Sequence, residues 1–192
     1  MGAEKTEHRS DMSNGGYDLE GVIWHQFSNR LVLAVMDLFS KDIPVIDFGC
    51  GMNFYVKVLN YAGYRAIGVD AVDLGNKDFI QADLTKQFDA IPFSAAKVNV
   101  ISLEVAEHLP PTYTDQFLDT LTKWNGDVLL SWAIPGQAGI GHINNQSNPY
   151  VIEKMAMRGY LINFQKTNNL RKAVTGCRCD WFLKTLMYFE PA

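Results

Sequence analysis

The chain has 192 residues, 47% of them hydrophobic, which is enough for one core and too short for two ordinary domains. Its 17 basic and 21 acidic residues give a net charge of −4 without a cluster of Lys and Arg, so nucleic acid is not an expected partner. No apolar stretch approaches the ~20 residues that cross a bilayer, and the polar start has no signal-peptide core, so we predict a cytoplasmic protein without membrane contact.

The first part of the chain divides into a polar segment and a helical pattern. Residues 1–18 are predicted to be flexible and to precede a single domain over 19–192. Apolar residues recur at three- and four-residue steps over 19–39, which predicts a helix. Trp24 and His25 lie on this helix and are candidates for lining a pocket, although such residues more often belong to a core.

A βαβ unit over residues 44–70 is the most informative part of the sequence. A short apolar run of β-forming residues is broken by Gly49 and Gly51, a helical pattern follows over 54–61, and a second apolar run ends at Asp70. The predicted helix places three apolar residues on one side: Phe54, Val58 and Tyr61. The loop of such a unit lies at the carboxyl edge of a parallel sheet, where open α/β sheets bind ligands.

The residues of this loop indicate the kind of ligand. Glycine permits unusual backbone angles and lets a ligand approach backbone N–H groups where no Cβ intervenes. Asp70, 23 residues after Asp47, is placed to accept both hydroxyls of a ribose. A dinucleotide fingerprint needs a third glycine where this chain has Phe54. Because Asp47 also precedes the turn, a ligand with a positive charge suits the loop better than a pyrophosphate, and S-adenosylmethionine is such a ligand.

This stretch resembles the cofactor-binding motifs of class I S-adenosylmethionine-dependent methyltransferases. Asp47, Gly49 and Gly51 match the family's D/E-x-G-x-G motif, and Asp70 matches its ribose-binding acid. The usual third glycine is Asn53 here. The resemblance implies S-adenosylmethionine as cofactor, with the four matching residues in its site. The motif alone also fits any Rossmann-like fold with a glycine turn.

Later segments follow the same family pattern in order. Residues 79–84 resemble the third-strand segment, in which Asp83 would lie near the adenine amine. Residues 98–110 resemble the fourth strand with its S-L-E-V-x-E-H motif, which implies cofactor contact for Glu104. Glu107 could contact the methionyl ammonium or the acceptor. The order and spacing of these segments make the resemblance specific.

The remaining elements complete the predicted fold. A fifth strand is predicted over 127–132, helices over 111–123, 149–158 and 163–174, and a last strand over 180–189. The resemblance implies a Rossmann-like class I methyltransferase fold, an α/β architecture with helices on both faces. Its seven-stranded sheet is mostly parallel, and the last strand is its antiparallel edge strand.

Candidate catalytic residues lie in two loops on the same edge of the predicted sheet. His108 follows the fourth strand, and His142 lies in the glycine-rich loop over 135–148. Either histidine could be a general base, because histidine titrates near neutral pH. His108 could instead shape its loop through a hydrogen bond at a helix start, and His142 could be scaffold. Trp132 is a further candidate for lining the pocket.

The loop over 135–148 is rich in glycine and in polar side chains. We predict that it closes over the acceptor and supplies polar contacts, because specificity is usually built into loops on a rigid scaffold. The polar side chains are Gln137, His142, Asn144, Asn145 and Gln146. The alternative is that these residues cap the next helix and otherwise face water.

The predicted function is methyl transfer from S-adenosylmethionine to a small molecule by in-line displacement. One alternative is an aminopropyltransferase, because Glu104 and Glu107 mimic the spacing of a polyamine-binding D-x-x-D motif. The other is a non-catalytic partner subunit that has a degenerate methyltransferase fold and binds S-adenosylmethionine. The intact cofactor motif argues against decay of the cofactor site. Cys177 and Cys179 provide two soft ligands without a third nearby, so free thiols and no metal site are predicted.

Overall fold

The computed structural model describes residues 26–73, 75, 77–89 and 91–192. Residues 1–18, Trp24 and His25, for which the sequence made predictions, lie outside that part. Two short 3-10 helices span Ala106–His108 and Pro111–Tyr113. The strands and α-helices follow in the order α1 Asn29–Leu38, β1 Val45–Phe48, α2 Phe54–Tyr61, β2 Ala66–Asp70, β3 Phe79–Gln81, β4 Val98–Leu103, α3 Thr114–Thr122, β5 Asn125–Ser131, α4 Asn148–Ala156, β6 Tyr160–Ile162, α5 Phe164–Ala173, α6 Phe182–Thr185 and β7 Leu186–Pro191.

The strands form one seven-stranded sheet in the order β3-β2-β1-β4-β5-β7-β6. Neighbouring strands from β3 to β5 are parallel, and β7 runs antiparallel to both β5 and β6. The predicted fold class is therefore confirmed, with β6 added outside the antiparallel strand. The strand order reverses between β1 and β4, and ligands of open α/β sheets bind at the carboxyl ends of strands beside such a reversal.

Two hydrophobic cores lie on opposite faces of the sheet. Alternate residues of a strand point to opposite faces, so Val45 belongs to one core and Ile46 to the other. The first core includes Phe117 of α3 and Met155 of α4. The second includes α1, α2 and Leu170 of α5. Helices thus cover both faces, as predicted, and no helix in the described part is long and apolar enough to span a membrane.

The helix predicted over 19–39 begins later than the sequence pattern indicates. Residues 26–28 are not helical, and α1 begins at Asn29. Ser28 is extended, with φ −119° and ψ 114°, and its side chain accepts a hydrogen bond from the backbone N–H of Leu31 at 3.2 Å. An N-cap of this kind satisfies an otherwise unpaired N–H of the first turn, so the helix starts there. The prediction is wrong over 26–28, and 19–25 are not described.

The bounds of α2 agree with the prediction, and its apolar residues are buried to different degrees. Tyr55, Val56 and Leu59 face the core, whereas Tyr61 is 96% exposed. The apolar pattern of this helix fits more than one face, because aromatic residues occupy both sides. Packing against β1 and β2 decides which residues are buried: of the three predicted to share one side, Phe54 and Val58 pack against the second core, and Tyr61 faces solvent.

The last predicted strand, 180–189, is half helix. α6 occupies Phe182–Thr185, and β7 begins only at Leu186. The hydroxyl of Thr185 donates to the carbonyl oxygen of Trp181, and Phe182 is buried in the core. Cys177 and Cys179, just before this turn, are free thiols. The three predicted helices are present as α3, α4 and α5, with Ser147 and Asn163 as N-caps of the last two.

Candidate functional site

The glycine turn after β1 is fastened to the end of β2. Gly49 and Gly51 have φ of 78° and 50°, in the left-handed region that favours glycine. The N–H of Gly49 donates to the carbonyl oxygen of Val69 at 2.7 Å, and that of Gly51 donates to Asp70 Oδ2 at 2.9 Å. The sequence predicts that such N–H groups are open to a ligand, whereas in the structure these two hold the turn against the neighbouring strand.

Close packing gives a second reason for glycine in this region. A Cβ on Gly49 would collide with the side chain of Val105, which follows β4. A Cβ on Gly68, in the middle of β2, would collide with the side chains of Asn53 and Cys50. The sequence analysis missed Gly68 and Val105. A glycine inside a strand pattern is a usable signal, because it often marks close backbone approach.

Asn53 occupies the position of the family's third glycine. Its φ of 59° is left-handed, and asparagine is among the few residues that adopt this conformation readily. It directly precedes α2, its side-chain amide donates to the carbonyl oxygen of Asp78 at 3.1 Å, and its Oδ1 is buried without a hydrogen-bond partner. The substitution therefore preserves the backbone path of the turn.

Asp70 lies at the carboxyl end of β2, beside the turn. Its Oδ2 accepts from Gly51, and its Oδ1 accepts from the backbone N–H of Val72 at 3.2 Å. A carboxylate has about four lone-pair positions, so each oxygen can accept one further hydrogen bond. The carboxylate is thereby held in one orientation while keeping the capacity to accept a pair of hydroxyls. Its contact with a ribose stays a prediction.

Asp47 is a buried acid near the carboxyl end of β1. Its Oδ2 has no hydrogen-bond partner in the described part of the chain. Burial, and secondarily the charge of Asp70, raise the pKa of Asp47 from an ordinary 3.8 to about 8. A cationic group placed beside this carboxyl would favour its ionised form. The site therefore suits a ligand with positive charge.

Replacing Asp47 by asparagine is expected to change how stability depends on pH. The folded state holds the Asp47 proton up to about pH 8, whereas the unfolded chain releases it near 3.8. The free energy of unfolding of the wild type therefore falls as pH rises between these values, by up to about 1.4 kcal/mol for each pH unit from this group. In Asp47→Asn, this decrease in the free energy of unfolding with pH should be absent.

Urea titrations at pH 5.5 and pH 8.5 measure the effect. The stability of Asp47→Asn relative to the wild type should be higher at pH 8.5 than at pH 5.5. Asp42→Asn, an exposed acid before β1, is the matched control and should show no such change. Parallel pH profiles for wild type and Asp47→Asn would contradict the prediction.

The side chain of Asp83 is hydrogen-bonded within the turn that follows β3. Its Oδ1 accepts from the backbone N–H of Thr85 at 2.9 Å and from the Thr85 hydroxyl at 2.6 Å, and Lys86 lies 3.3 Å from Oδ2. Burial raises the pKa of Asp83, but these hydrogen bonds outweigh it, so the pKa is lowered. The structure thus gives Asp83 a role in shaping the turn, and its contact with adenine stays a prediction.

Two acidic residues follow β4. Glu104 has a left-handed φ of 55°, its N–H donates to the hydroxyl of Ser131 at 2.8 Å, and its Oε2 accepts from Gln137 at 2.7 Å. Glu107 is fully buried, and neither of its carboxyl oxygens has a hydrogen-bond partner among the described residues. Burial raises the pKa of both groups, and the charge of Glu104 raises that of Glu107 further.

The two candidate histidines meet at Glu107. The rings of His108 and His142 lie edge to face with 4.9 Å between their centres, and His142 Nε2 is 3.9 Å from Glu107 Oε1. His108 Nδ1 lies 3.3 Å from the carbonyl oxygen of Gly141. Burial lowers the pKa of His142, and the backbone of Gln137 partly opposes this shift. We refer to Glu104, Glu107, His108 and His142 as the carboxylate–histidine cluster.

Most polar side chains of the loop over 135–148 bond within the loop or to its neighbours. Asn144 is buried and donates to Ala106 and Thr114, Asn145 donates to the carbonyl oxygens of Ile134 and Gln137, and Gln146 donates to Asn144. These amides build the loop, so the prediction that they serve the acceptor is not supported. Trp132 is fully buried and donates to the Asn144 carbonyl at 2.6 Å, so it belongs to the core rather than a pocket wall.

The strand order, the glycine turn and the acid at the end of β2 define the fold of the class I methyltransferases. No protein-family model and no curated protein sequence matches the chain. Solved structures do match. Magnesium protoporphyrin IX methyltransferase from Synechocystis PCC 6803, with bound S-adenosylhomocysteine, is 17% identical with a TM-score of 0.54, over 75% of this chain and 83% of that one.

Two further solved structures share the fold. The 1,6-didemethyltoxoflavin-N1-methyltransferase from Burkholderia thailandensis, with that compound and S-adenosylhomocysteine bound, is 14% identical with a TM-score of 0.53, over 83% of this chain and 73% of that one. The small RNA methyltransferase HEN1 is 16% identical with a TM-score of 0.51, over 63% of this chain and 20% of that one. The chain therefore has the class I S-adenosylmethionine-dependent methyltransferase fold.

Proposed function

We propose that the protein binds S-adenosylmethionine at the glycine turn and transfers its methyl group to a small molecule. The observation that carries this proposal is the pair Asp70 and Asp47 at the turn. Asp70 is held by Gly51 and can still accept from a diol, and Asp47 is buried without a partner for Oδ2. A ribose and a positively charged group are both present in S-adenosylmethionine. Two structural neighbours hold S-adenosylhomocysteine, which supports this cofactor.

The proposed reaction needs little from the protein beyond positioning. The sulfonium is already a good leaving group, so holding the acceptor in line with the methyl carbon supplies much of the rate. A base is needed only for a weakly acidic acceptor. The candidate bases are His142, whose pKa is lowered by burial, and His108, whose ring lies against that of His142.

A small-molecule acceptor is favoured over nucleic acid. The net charge is −4 and the sequence has no cluster of Lys and Arg to contact phosphates. One neighbour of similar fold is crystallised with a small heterocyclic compound, whereas the small RNA methyltransferase matches over only a fifth of its length. Screening a metabolite extract for transfer of a labelled methyl group would identify the acceptor. Robust methylation of duplex DNA without turnover of metabolites would overturn the proposal of a small-molecule acceptor.

The alternatives raised by the sequence are less well supported. A polyamine site needs carboxylates that a cationic chain can reach, but Glu107 is fully buried. A non-catalytic subunit has no need of a tethered Asp70 beside an intact glycine turn. Thermal-shift measurements with S-adenosylmethionine, its homocysteine product and the decarboxylated form would separate the three.

Asp70→Ala is expected to weaken S-adenosylmethionine binding by at least tenfold. A hydrogen bond to a charged acceptor contributes about 1.5–3 kcal/mol, and the substitution also removes the acceptor of the Gly51 N–H. Isothermal calorimetry measures the change. Asp42→Ala, an exposed acid before β1, is the control and should bind as the wild type does. Unchanged affinity in Asp70→Ala would refute the cofactor assignment.

A further inference from the structure

We infer that the carboxylate–histidine cluster binds a divalent transition-metal ion, which in turn binds a hydroxyl oxygen of the acceptor. Only the second part of this inference, that the metal binds a hydroxyl of the acceptor, rests on the proposed function. Glu107, His108 and His142 are the proposed ligands.

The positions of the donor atoms fit a single ion. Glu107, His108 and His142 each offer one ligand atom, and these atoms all lie within 4.8 Å of one another. Imidazole nitrogens and carboxylate oxygens bind such an ion at about 2.0–2.2 Å, which places neighbouring ligands of a tetrahedral site about 3.3–3.6 Å apart. The 3.9 Å between His142 Nε2 and Glu107 Oε1 is close to this spacing. A small inward shift of side chains brings the set together.

Glu107 gives an independent reason to expect a cation. It is fully buried, and both of its oxygens are without a hydrogen-bond partner in the described part of the chain. Among those residues, His142 Nε2 approaches Glu107 Oε1 to 3.9 Å, which is too far for a hydrogen bond. Buried carboxylates are normally paired or bound to metal. Glu104 Oε1, beside it, is also buried without a hydrogen-bond partner.

The surrounding residues orient the proposed ligands. A carbonyl oxygen can only accept, so His108 Nδ1 donates to Gly141, and this sets the tautomer in which Nε2 carries the lone pair. Gln137 holds Glu104 through Oε2. A Cβ on Gly139 would collide with the His142 ring, so glycine is required for His142 to reach its place.

The backbone conformation of Glu104 is a further indication of a ligand-binding site. Its left-handed φ of 55° is costly for a residue other than Gly, Asn or Asp, by about 1–2 kcal/mol. Such backbone outliers concentrate at active sites and ligand clamps. The hydroxyl of Ser131 accepts from its N–H and stabilises this conformation.

The donor set selects the class of metal. Two imidazoles beside carboxylates favour Mn²⁺, Fe²⁺, Co²⁺ or Zn²⁺, whereas Mg²⁺ and Ca²⁺ prefer oxygen ligands alone. The sequence analysis predicted no metal and considered His142 as a free base. As a ligand, His142 would instead hold the ion that activates the acceptor.

The position of the cluster suits methyl transfer. Val105, between Glu104 and Glu107, packs directly against Gly49 of the turn. A metal ion there would lower the pKa of a bound hydroxyl, whose proton is released to water. The oxygen then forms a bond to the methyl carbon while the carbon–sulfur bond breaks, and its electron pair stays on sulfur to leave S-adenosylhomocysteine. We therefore assign the acceptor to the class of hydroxyl compounds.

Titration of the metal-free full chain with Co²⁺, followed by visible absorption, tests the site. The wild type should bind one Co²⁺ with ligand-field bands typical of imidazole coordination. Glu107→Gln, which keeps the size of the side chain, and His142→Ala should each weaken binding at least tenfold. Glu153→Gln, an exposed acid on α4, is the matched control and should bind as the wild type does.

Calorimetry with S-adenosylmethionine in the presence of a chelator separates this inference from the proposed function. Absence of Co²⁺ binding at about 1 mM, or equal Co²⁺ affinity in wild type and Glu107→Gln, would overturn the metal site. If the wild type still binds S-adenosylmethionine in that case, the proposed function stands. Binding of Mg²⁺ but not Co²⁺ would overturn the assigned class of metal. Loss of cofactor binding in the wild type would overturn the proposed function instead.

Discussion

Replacing His142 with alanine is expected to lower methyl transfer at least a hundredfold while leaving S-adenosylmethionine affinity unchanged. His142 lies in the loop after β5, with its Nε2 3.9 Å from Glu107 Oε1 and its ring centre 4.9 Å from that of His108. Loss of a general base costs about 10²–10⁴-fold in rate, and loss of a metal ligand removes the ion that would activate the acceptor. Neither change touches the glycine turn or Asp70, where we propose that the cofactor binds.

Initial rates with labelled S-adenosylmethionine and the acceptor found by screening measure this effect. Ile143→Ala is the matched control, because Ile143 is the exposed neighbour of His142 and its backbone bond to Glu107 survives the substitution. Gly139→Ala, which forces the His142 ring to move, should reproduce much of the loss without deleting the imidazole. Near-normal turnover in His142→Ala would show that this histidine has only a structural role.

Gly49→Ala is expected to abolish detectable cofactor binding and to lower the stability of the domain. The φ of 78° is unfavourable for alanine by about 1–2 kcal/mol. The added Cβ would also collide with Val105, and overpacking of this kind costs about 1–3 kcal/mol. Relief requires the turn to move away from β4, which takes Gly51 away from Asp70.

Gly63→Ala separates backbone strain from collision. Gly63, in the turn between α2 and β2, has a similar φ of 87°, and a Cβ there would meet only Lys41 Nζ at 3.8 Å. It should lose stability through strain alone and keep cofactor affinity. Urea unfolding and calorimetry on both variants make the comparison. Equal cofactor affinity in Gly49→Ala and Gly63→Ala would show that contact with Val105 does not position the turn.

The sequence by itself predicted the features that depend on short stretches of chain. The strand, turn and helix around Gly49 and Gly51 follow from local apolar patterns and from the conformational freedom of glycine. The mostly parallel sheet followed from the order of such units and from the family resemblance. Asp70 could be placed beside the turn because consecutive strands of a βαβ unit are parallel neighbours, and the structure joins Asp70 to Gly51.

Only the tertiary structure decided which residues meet across long separations in sequence. Glu107 and His142 are 35 positions apart, and no periodicity could show that they approach within 3.9 Å. The same holds for the bond from Gln137 to Glu104, for Val105 against Gly49, and for the buried place of Trp132. Packing chooses among faces and partners that the local pattern leaves equivalent, so the cofactor turn was predictable from the sequence and the carboxylate–histidine cluster was not.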